Sequence, residues 1–337
     1  MMRENMLQES FEGFSVLNSE LKTKKPKNVV AEKIKLVSLF AGCGGMDLGF
    51  RGDFTSLGKY YDRNPFDIIW ANELNPAACK TYKKNVGDHI HQGDIWEMLG
   101  SMPKHADVVI GGFPCQDISV NGKGAGIEGA RSGLYRAMVE AVSIIKPKVF
   151  VAENVKGLLM KPHAKALETV LNDFRNLGYK VTYNLYQSAG YGVAQTRERV
   201  MIVGTAPGVK DFVVPNMLFK KDEYITAKNA IHDLAMLCED HAINHIWSKA
   251  NSSPDQGSRR LVAERAGYTI RAECHGNIHW HYEQPRRISM REAARIQSFP
   301  DDFVFEAKLR ETERQIGNAV PPVLAWHVAN AVARCLE

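Results

Sequence analysis

Residues 34–46, IKLVSLFAGCGGM, carry the clearest indication of the fold class of this chain. The first half of this stretch, Ile34 to Phe40, is mainly apolar and predicts a buried strand. The glycine-rich residues that follow predict a tight turn, and we expect a helix to begin near Met46. Such a turn between a strand and a helix lets backbone N–H groups approach a ligand closely. The stretch therefore predicts the first βα unit of an α/β protein, with a ligand site beside its turn.

Strands continue to alternate with helices up to residue 205. Further strands are predicted at residues 66–71, 108–110, 149–152, 181–185 and 200–204. A helix is predicted from Pro76, and apolar residues at helical spacing predict another over residues 134–145. This alternation is typical of a doubly wound, mostly parallel sheet with helices on both faces.

A length of 337 residues favours more than one domain. The composition divides the chain into four segments. Residues 1–33 form a polar, lysine-rich arm, 34–205 the α/β domain, 206–285 a smaller domain of short, turn-rich pieces, and 286–337 a final helical segment.

Composition excludes several classes of protein. The net charge of +5 is spread along the chain, which permits a nucleic-acid partner without demonstrating one. There is no apolar run of the roughly 18 residues that a membrane span needs, and the first residues lack the apolar core of a signal peptide. We therefore expect a cytoplasmic protein without a membrane partner. The six cysteines form no CxxC pair, and the histidines and cysteines of 206–285 match no standard zinc spacing, so no metal is predicted.

A single cysteine follows the apolar run VVI at residues 108–110, in the sequence GGFPCQ, 111–116. Cys115 lies directly after a proline, where a strand of the sheet should end. One interpretation is a buried, inert cysteine, which is a common fate of this residue. The other is a nucleophile that faces the crevice beyond the strand ends, where ligands bind in α/β sheets.

Two carboxylates follow later strands of the same domain. Glu73 ends the second strand and could accept hydrogen bonds from both ribose hydroxyls, and Asp94 could accept one from an adenine amino group. The first glycine turn is not GxGxxG, so the dinucleotide fingerprint is missing. These features fit S-adenosylmethionine better than NAD. The alternative is that both are surface or capping carboxylates.

Glu153 ends the strand predicted beside that of Cys115. A carboxyl group partly removed from water has a raised pKa and can keep its proton. A thiol nucleophile and a protonated carboxyl are the pair needed to add to a ring. In QTRER, 195–199, Gln195, Arg197 and Arg199 occupy alternate positions, so an extended segment would point all three the same way, towards a phosphate or a carbonyl. The alternative is a solvated edge strand.

Taken in order, these motifs resemble those of the C5-cytosine DNA methyltransferases, from about residue 36 to the C-terminus. The matching stretches are FAGCGGMDLG (40–49), NE (72–73), GDI (93–95), GGFPCQDIS (111–119), ENV (153–155), QTRER (195–199), RRISMREAARIQSFPDDF (286–303) and QIGNAVPP (315–322). One such motif would be weak, but the ordered set is specific.

The resemblance implies a role for each matching residue. Cys115 would be the thiolate that adds to C6 of cytosine, and Glu153 would contact N3. Arg197 and Arg199 would hold the target base and its phosphate, with Arg199 on the cytosine carbonyl, and Gln195 belongs to the same motif. The cofactor S-adenosylmethionine would be bound by Phe40, Gly42, Gly45, Glu73, Asp94, Ile95, Leu134 and Asn318.

The resemblance also implies the function of the whole chain. Residues 34–205 would form the catalytic and cofactor-binding domain, 206–285 the target-recognition domain, and 286–337 a hinge and C-terminal helix that return to the catalytic domain. The enzyme would methylate C5 of a cytosine that is flipped out of a short duplex sequence. We expect a monomer that protects DNA against a cognate restriction endonuclease, its partner by function rather than by binding.

Three other functions are alternatives to a DNA cytosine methyltransferase. A tRNA cytosine-5 methyltransferase on the same scaffold usually has Pro-Pro-Cys-Gln and a Cys-Phe-Thr segment, whereas this chain has Phe113 before Pro114 and no Cys-Phe-Thr. A catalytically silent DNA-binding module is disfavoured because Cys115, Glu153 and Gln195 are intact. The missing fingerprint disfavours an NAD oxidoreductase.

Overall fold

A seven-stranded sheet organises the computed structural model, which describes residues 33–114, 133–249, 259–272 and 278–337. The strands are β1 (Ile34–Leu39), β2 (Phe54–Ser56), β3 (Lys59–Tyr61), β4 (Phe66–Glu73), β5 (Ile90–Gln92), β6 (Val108–Gly112), β7 (Val149–Val155), β8 (Lys180–Gln187), β9 (Gln195–Thr196), β10 (Glu198–Thr205) and β11 (Gly267–Tyr268). The sheet has the order β5-β4-β1-β6-β7-β10-β8, and β2 pairs with β3 and β9 with β11 in two small ladders.

The sheet is mostly parallel, as predicted. β5, β4, β1, β6 and β7 pair in parallel, and only β10 runs against its neighbours β7 and β8. Each predicted strand is present, and most extend a few residues beyond the predicted limits. The predicted neighbours β8 and β10 do pair, from Glu198 opposite Gln187 to Thr205 opposite Lys180.

Helices cover the sheet on both faces. They are α1 (Gly45–Arg51), α2 (Pro76–Asn85), α3 (Ile95–Met98), α4 (Leu134–Ile145), α5 (Ala164–Asn176), α6 (Ala227–Ile231), α7 (Met290–Ile296), α8 (Leu309–Asn318) and α9 (Pro322–Cys335), with short 3-10 turns at Lys156–Leu159, Lys161–His163, Ser188–Tyr191 and His232–Leu234. Because successive strand residues point to opposite faces, Leu36 packs with α1 and α9, whereas Val37 packs with α4 and α5.

Local chemistry explains where several helices begin. Asn75 accepts hydrogen bonds from the backbone N–H groups of Ala77 and Ala78, and Pro76 occupies the first turn of α2. Ser289 and Glu292 form a reciprocal capping box at the start of α7. α2 begins where the sequence predicted it, and Asn75 and Ala78 at its start line the cavity described below.

The chain after residue 205 is irregular, as the turn-rich sequence predicted. Its described part before residue 286 holds only α6, one 3-10 turn and the two-residue strand β11. The boundaries of the four segments stay predictions. Within the described ranges, the structure has no helix that is both long and apolar enough to cross a bilayer.

The C-terminal helix α9 packs against α1 of the first βα unit, and this packing requires a close approach of the two helices at Gly49. A Cβ atom added there would lie 2.4 Å from the Cβ of Ala325 and 2.5 Å from the carbonyl oxygen of Pro322. Neither contact is sterically allowed, so only glycine lets α1 and α9 pack at this distance.

We expect Gly49→Ala to lower the free energy of unfolding by about 1–3 kcal/mol, because the added methyl group forces these helices apart. Urea unfolding followed by circular dichroism measures the change. Gly100→Ala is the matched control, since a Cβ on the exposed Gly100 would meet no heavy atom within 4 Å. Equal losses of unfolding free energy in Gly49→Ala and Gly100→Ala would contradict this account of the packing.

Candidate active site

A cavity of about 410 Å³ opens at the carboxyl ends of β1, β4, β6 and β7. β4 and β6 flank β1 on its two sides. The connections that follow β1 and β6 therefore lead to opposite sides, which leaves a crevice between them. The lining includes the first glycine turn, the start of α3, the start of α4 and the end of α8.

The first glycine turn is tied to the end of β4 through Glu73. Gly42 N–H donates to Glu73 Oε2 at 2.9 Å, and Asn75 N–H donates to Oε1 at 2.8 Å. Burial raises the pKa of Glu73, and these backbone N–H groups oppose the rise because they favour the charged form. Each carboxylate oxygen can accept more than one hydrogen bond, so Glu73 keeps acceptor capacity for ligand hydroxyls.

The backbone of this turn is sharply bent and leaves no room for a side chain at Gly45. Phe40 has a φ of 54° and Gly42 a φ of 57°, and for Phe40 this left-handed conformation costs about 1–3 kcal/mol. A Cβ on Gly45 would lie 2.6 Å from the carbonyl oxygen of Val320. The segment after α8 therefore packs directly beneath the glycine turn, as the order of motifs implied.

Asp94 caps a helix and also lines the cavity, so the two interpretations of this carboxylate are compatible. Its Oδ1 accepts a hydrogen bond from the backbone N–H of Trp96 at 2.9 Å, which caps α3. The same side chain belongs to the cavity lining, beside the buried Ile95. Capping thus holds the carboxylate at the cavity rather than excluding it from the site.

All eight residues predicted to bind the cofactor line this one cavity. They are Phe40, Gly42, Gly45, Glu73, Asp94, Ile95, Leu134 and Asn318. They come from five separate stretches of the chain. Their individual contacts to ribose and adenine stay predictions.

The opposite end of the cavity holds a buried ion pair between Glu153 and Arg199. Arg199 Nε lies 2.7 Å from Glu153 Oε1, and each side chain is about one-tenth exposed. Burial raises the pKa of Glu153, opposed by the charges of Arg199 and Arg197. Gly112 makes room for this carboxylate, since a Cβ there would lie 2.8 Å from Glu153 Oε2.

Asn154 joins β7 to the turn that leads to the predicted nucleophile. Its Nδ2 donates to the carbonyl oxygen of Phe113 at 3.1 Å, while its Oδ1 accepts from the N–H of Val155 at 2.8 Å. Phe113 and Pro114 both line the cavity. Cys115, the next residue, lies outside the described residues. Sequence reasoning assigned Asn154 no role, although it stands in the ENV motif.

Arg199 lines the described part of the cavity, whereas Gln195 and Arg197 do not. Arg197 is nevertheless near enough for its charge to act on Glu153. A tight turn separates β9 from β10, in which Arg197 N–H donates to Gln195 O at 2.9 Å. That all three side chains point the same way stays a prediction. The Gln195 and Arg197 side chains are fully buried, and burial lowers the pKa of Arg197 well below its usual value.

Comparison with known proteins assigns the chain to a family. A model of the C-5 cytosine-specific DNA methylases matches residues 34–257 and 242–334. The chain belongs to the C-5 cytosine-specific DNA methylase family. It is a DNA (cytosine-5)-methyltransferase that uses S-adenosylmethionine, which confirms the predicted enzyme class and cofactor.

Relatives of this methylase are similar over most of their length. It is 37% identical over 339 residues to the Type II methyltransferase M.NgoFVII of Neisseria gonorrhoeae, covering 90% of this chain and 88% of the relative. It is 33% identical over 350 residues to the Type II methyltransferase M.BbvI of Brevibacillus brevis, covering 90% and 91%. The crystal structure of S. pombe Dnmt2 methyltransferase superposes with a TM-score of 0.66 at 15% identity, covering 90% of this chain and 99% of that one. At 15% identity, the similarity to Dnmt2 shows only that the fold is shared.

The methylase also has a buried acidic network at the cavity that sequence reasoning missed. Asp47 on α1 is fully buried and accepts hydrogen bonds from Ser38 Oγ at 3.0 Å and from the Tyr82 hydroxyl at 2.8 Å. Tyr82 in turn lies 2.9 Å from His89 Nε2. The available signal was an acidic residue between the apolar Met46 and Leu48 of the first motif.

Burial raises the pKa of Asp47 from 3.8 to about 6, although both hydroxyl donors oppose the rise. The folded protein therefore holds more protons than the unfolded chain between these values, and this group lowers stability as the pH rises from 3.8 to about 6. Asp47→Asn removes the ionisation. We expect the stability of the variant relative to wild type to rise over this pH range and to level off above it.

Urea unfolding at a series of pH values measures this difference. Asp222→Asn, which removes an exposed carboxylate, controls for the loss of one charge. A stability difference between Asp47→Asn and wild type that is flat over this range would contradict the assignment.

Proposed function

We propose that this methylase modifies one cytosine within a short duplex sequence through a transient bond from Cys115 to C6, and that it protects DNA in a type II restriction–modification system. One observation carries the proposal. The buried pair of Glu153 and Arg199 lies in the same cavity as the eight predicted cofactor residues, next to Pro114, which immediately precedes Cys115. A nucleophile, an acid and a methyl donor would therefore converge on one base.

The chemistry requires a nucleophile because C5 of cytosine does not attack a methyl group readily. Addition of the Cys115 thiolate to C6 breaks the aromaticity of the ring and makes C5 nucleophilic. S-adenosylmethionine would supply its sulfonium methyl group to C5 and leave as S-adenosylhomocysteine. Loss of the C5 proton to a base, followed by elimination of the thiolate, restores the ring and frees the enzyme.

Glu153 is suited to support that addition at N3. Burial raises the pKa of its carboxyl, opposed by the charges of Arg199 and Arg197. A proton taken up when the base binds would let this carboxyl donate a hydrogen bond to the ring nitrogen. Arg199 holds the carboxyl in place and supplies N–H groups that could reach the cytosine carbonyl. A direct contact of Arg197 with the base or its phosphate stays a prediction, since its side chain lies outside the cavity.

The target base must leave the helix, because the ring face and C6 are hidden in the stack. Flipping costs a few kcal/mol, which contacts in the pocket offset. At the other end of the cavity, Glu73 would hold the ribose hydroxyls of the cofactor and Asp94 the adenine amino group. Both carboxylates are fixed by backbone N–H groups, so little ordering remains when the ligand binds.

Residues 206–285 are proposed as the target-recognition domain, joined to the catalytic segment 34–205 by the returning segment 286–337. Its described part carries cations over aromatic rings. Arg259 lies 5.6 Å from the ring centroid of Tyr268, and Arg260 lies 6.0 Å from that of Trp280. Arginines held in this way suit contacts to phosphates and base edges. Of the predicted arm, 1–33, all but the last residue lies outside the described residues.

The biological setting follows from the relatives, whose names describe Type II methyltransferases. A cognate endonuclease would be a partner by function, acting on the same sequence. We propose that the enzyme acts as a monomer in the cytoplasm, where its DNA substrate is found.

We expect Cys115→Ser to lower methylation by more than about a thousandfold, as loss of a nucleophile does in other enzymes. Bisulfite sequencing of plasmid DNA from expressing cells identifies the modified sequence for the wild type. A duplex of that sequence with 5-fluorocytosine at the target should then become covalently attached to the wild type but not to the variant. Cys335→Ser, in α9, is the matched control and should retain both activities.

Two results would refute the proposal. Near-normal turnover by Cys115→Ser would exclude the nucleophile. Failure of the wild type to trap the fluorinated duplex, while it methylates the ordinary one, would exclude the covalent route.

Exchange of residues 206–285 for the corresponding segment of a relative with a different target should change the methylated sequence to that of the relative. The reason is that the loops of this segment would contact the base edges. Bisulfite sequencing of the same plasmid measures the outcome. An active hybrid that still methylates the original sequence would place recognition outside this segment.

A further inference from the structure

A short strap, residues Gly267–Ala272 of the proposed recognition domain, lies against the catalytic segment. β11 belongs to the strap and pairs in parallel with β9 of the catalytic segment. Gly267 lies opposite Gln195, and Tyr268 lies opposite Thr196. Side chains strengthen the pairing: Thr196 Oγ1 donates to Gly267 O at 3.1 Å, and Thr269 Oγ1 donates to Thr196 O at 2.9 Å. The strap is thus bonded to the motif that sequence reasoning assigned to catalysis.

The other side of the strap lies against α8. A Cβ on Gly317 would be 2.5 Å from the backbone nitrogen of Ala272 and 2.6 Å from the carbonyl carbon of Arg271. The two backbones are therefore in direct contact, with no side chain between them to absorb a displacement. Gly317 is adjacent to Asn318 and Ala319, which line the cofactor cavity.

Two buried side chains, Gln195 and Gln297, connect these surfaces through three hydrogen bonds. The N–H of Ile270 donates to Gln195 Oε1 at 3.0 Å, Gln195 Nε2 donates to Gln297 Oε1 at 2.5 Å, and Gln297 Nε2 donates to Ala319 O at 2.7 Å. Each amide is oriented by having both of its ends engaged. The series runs without interruption from the strap to the rim of the cavity.

Arg197 makes the same connection in one step. It donates to Ile270 O at 2.9 Å and to Gly317 O at 2.7 Å. Within the described ranges, its Nε has no hydrogen-bond partner. A fully buried guanidinium bonded to carbonyls is a costly way to gain stability, and such groups are better suited to fixing one arrangement.

We infer that Gln195, Arg197 and Gln297 are positioning residues that form a joint between the strap and the cavity rim, through which DNA and cofactor strengthen each other's binding. The inference rests on the proposed function, since it requires that residues 206–285 contact DNA. A ligand that orders either side of a shared rigid joint lowers the cost of ordering the other side. Linkage then requires that each ligand raises the affinity for the other by the same factor.

The test compares the dissociation constant of S-adenosylhomocysteine, which cannot react, with and without a saturating duplex of the sequence identified by bisulfite sequencing. Calorimetry should show at least about fivefold tighter binding to the wild type with DNA, the lower end of typical coupling factors. Gln297→Met keeps the side-chain volume but breaks the series of hydrogen bonds. In this variant, the ratio of the dissociation constant without DNA to that with DNA should fall below about twofold. The affinity without DNA should stay within about twofold of wild type.

Two further variants keep the test decisive. Thr269→Val removes one hydrogen bond between the strap and β9 and should lower the ratio even if Gln297→Met fails to fold. Tyr179→Phe removes a buried hydrogen bond to Pro147 O, at the opposite edge of the sheet, and should keep the wild-type ratio. A loss of coupling in Tyr179→Phe as well would show a general loss of rigidity and overturn the inference.

The outcomes separate this inference from the proposed function. A wild type that methylates its sequence but shows a ratio near one overturns the joint and leaves the function intact. The same conclusion follows if Gln297→Met and Thr269→Val both keep the wild-type ratio. A wild type that methylates no cytosine overturns both.

Discussion

Parallel pairing of β4, β1, β6 and β7 is the constraint on which the site depends. Parallel strands all end at one edge of the sheet, so the residues that follow them must meet there. The glycine turn after β1, Glu73 after β4, Pro114 after β6 and Glu153 at the end of β7 converge in this way. Because these strands run in the same direction, residues more than a hundred positions apart in sequence form one cavity.

Charge is used in two different ways at and near this cavity. Arg199 pairs with Glu153, so each ion has a partner where water is largely excluded. Arg197 is fully buried and donates to two backbone carbonyls instead. The first arrangement tunes an acid beside the predicted base pocket. The second fixes the position of the strap relative to α8.

The C-terminal segment completes the site that the first βα unit begins. Val320 lies beneath Gly45, and Asn75 donates to Glu311 Oε1 at 3.0 Å across 236 positions. The close contact of Gly49 with α9 holds this return in place. This cavity therefore forms only when both ends of the described chain are folded together, and residues 206–285, the proposed recognition domain, lie between them in sequence.

The order of the strands along the chain and the glycine turn could be predicted from the sequence, because they depend on apolar runs and turn residues. The eight predicted cofactor residues came from the resemblance to the C5-cytosine methyltransferases, and all of them line one cavity. The partners of Gln195 and Arg197 could be seen only in the tertiary structure, because Gln195 bonds to Ile270 and Arg197 to Ile270 and Gly317, all more than seventy positions away. The tertiary structure also decided that Asp47 is buried with Tyr82 and that Gln195 meets Gln297, 102 positions away. Such contacts depend on how separate elements pack, which cannot be predicted from the residues adjacent in sequence.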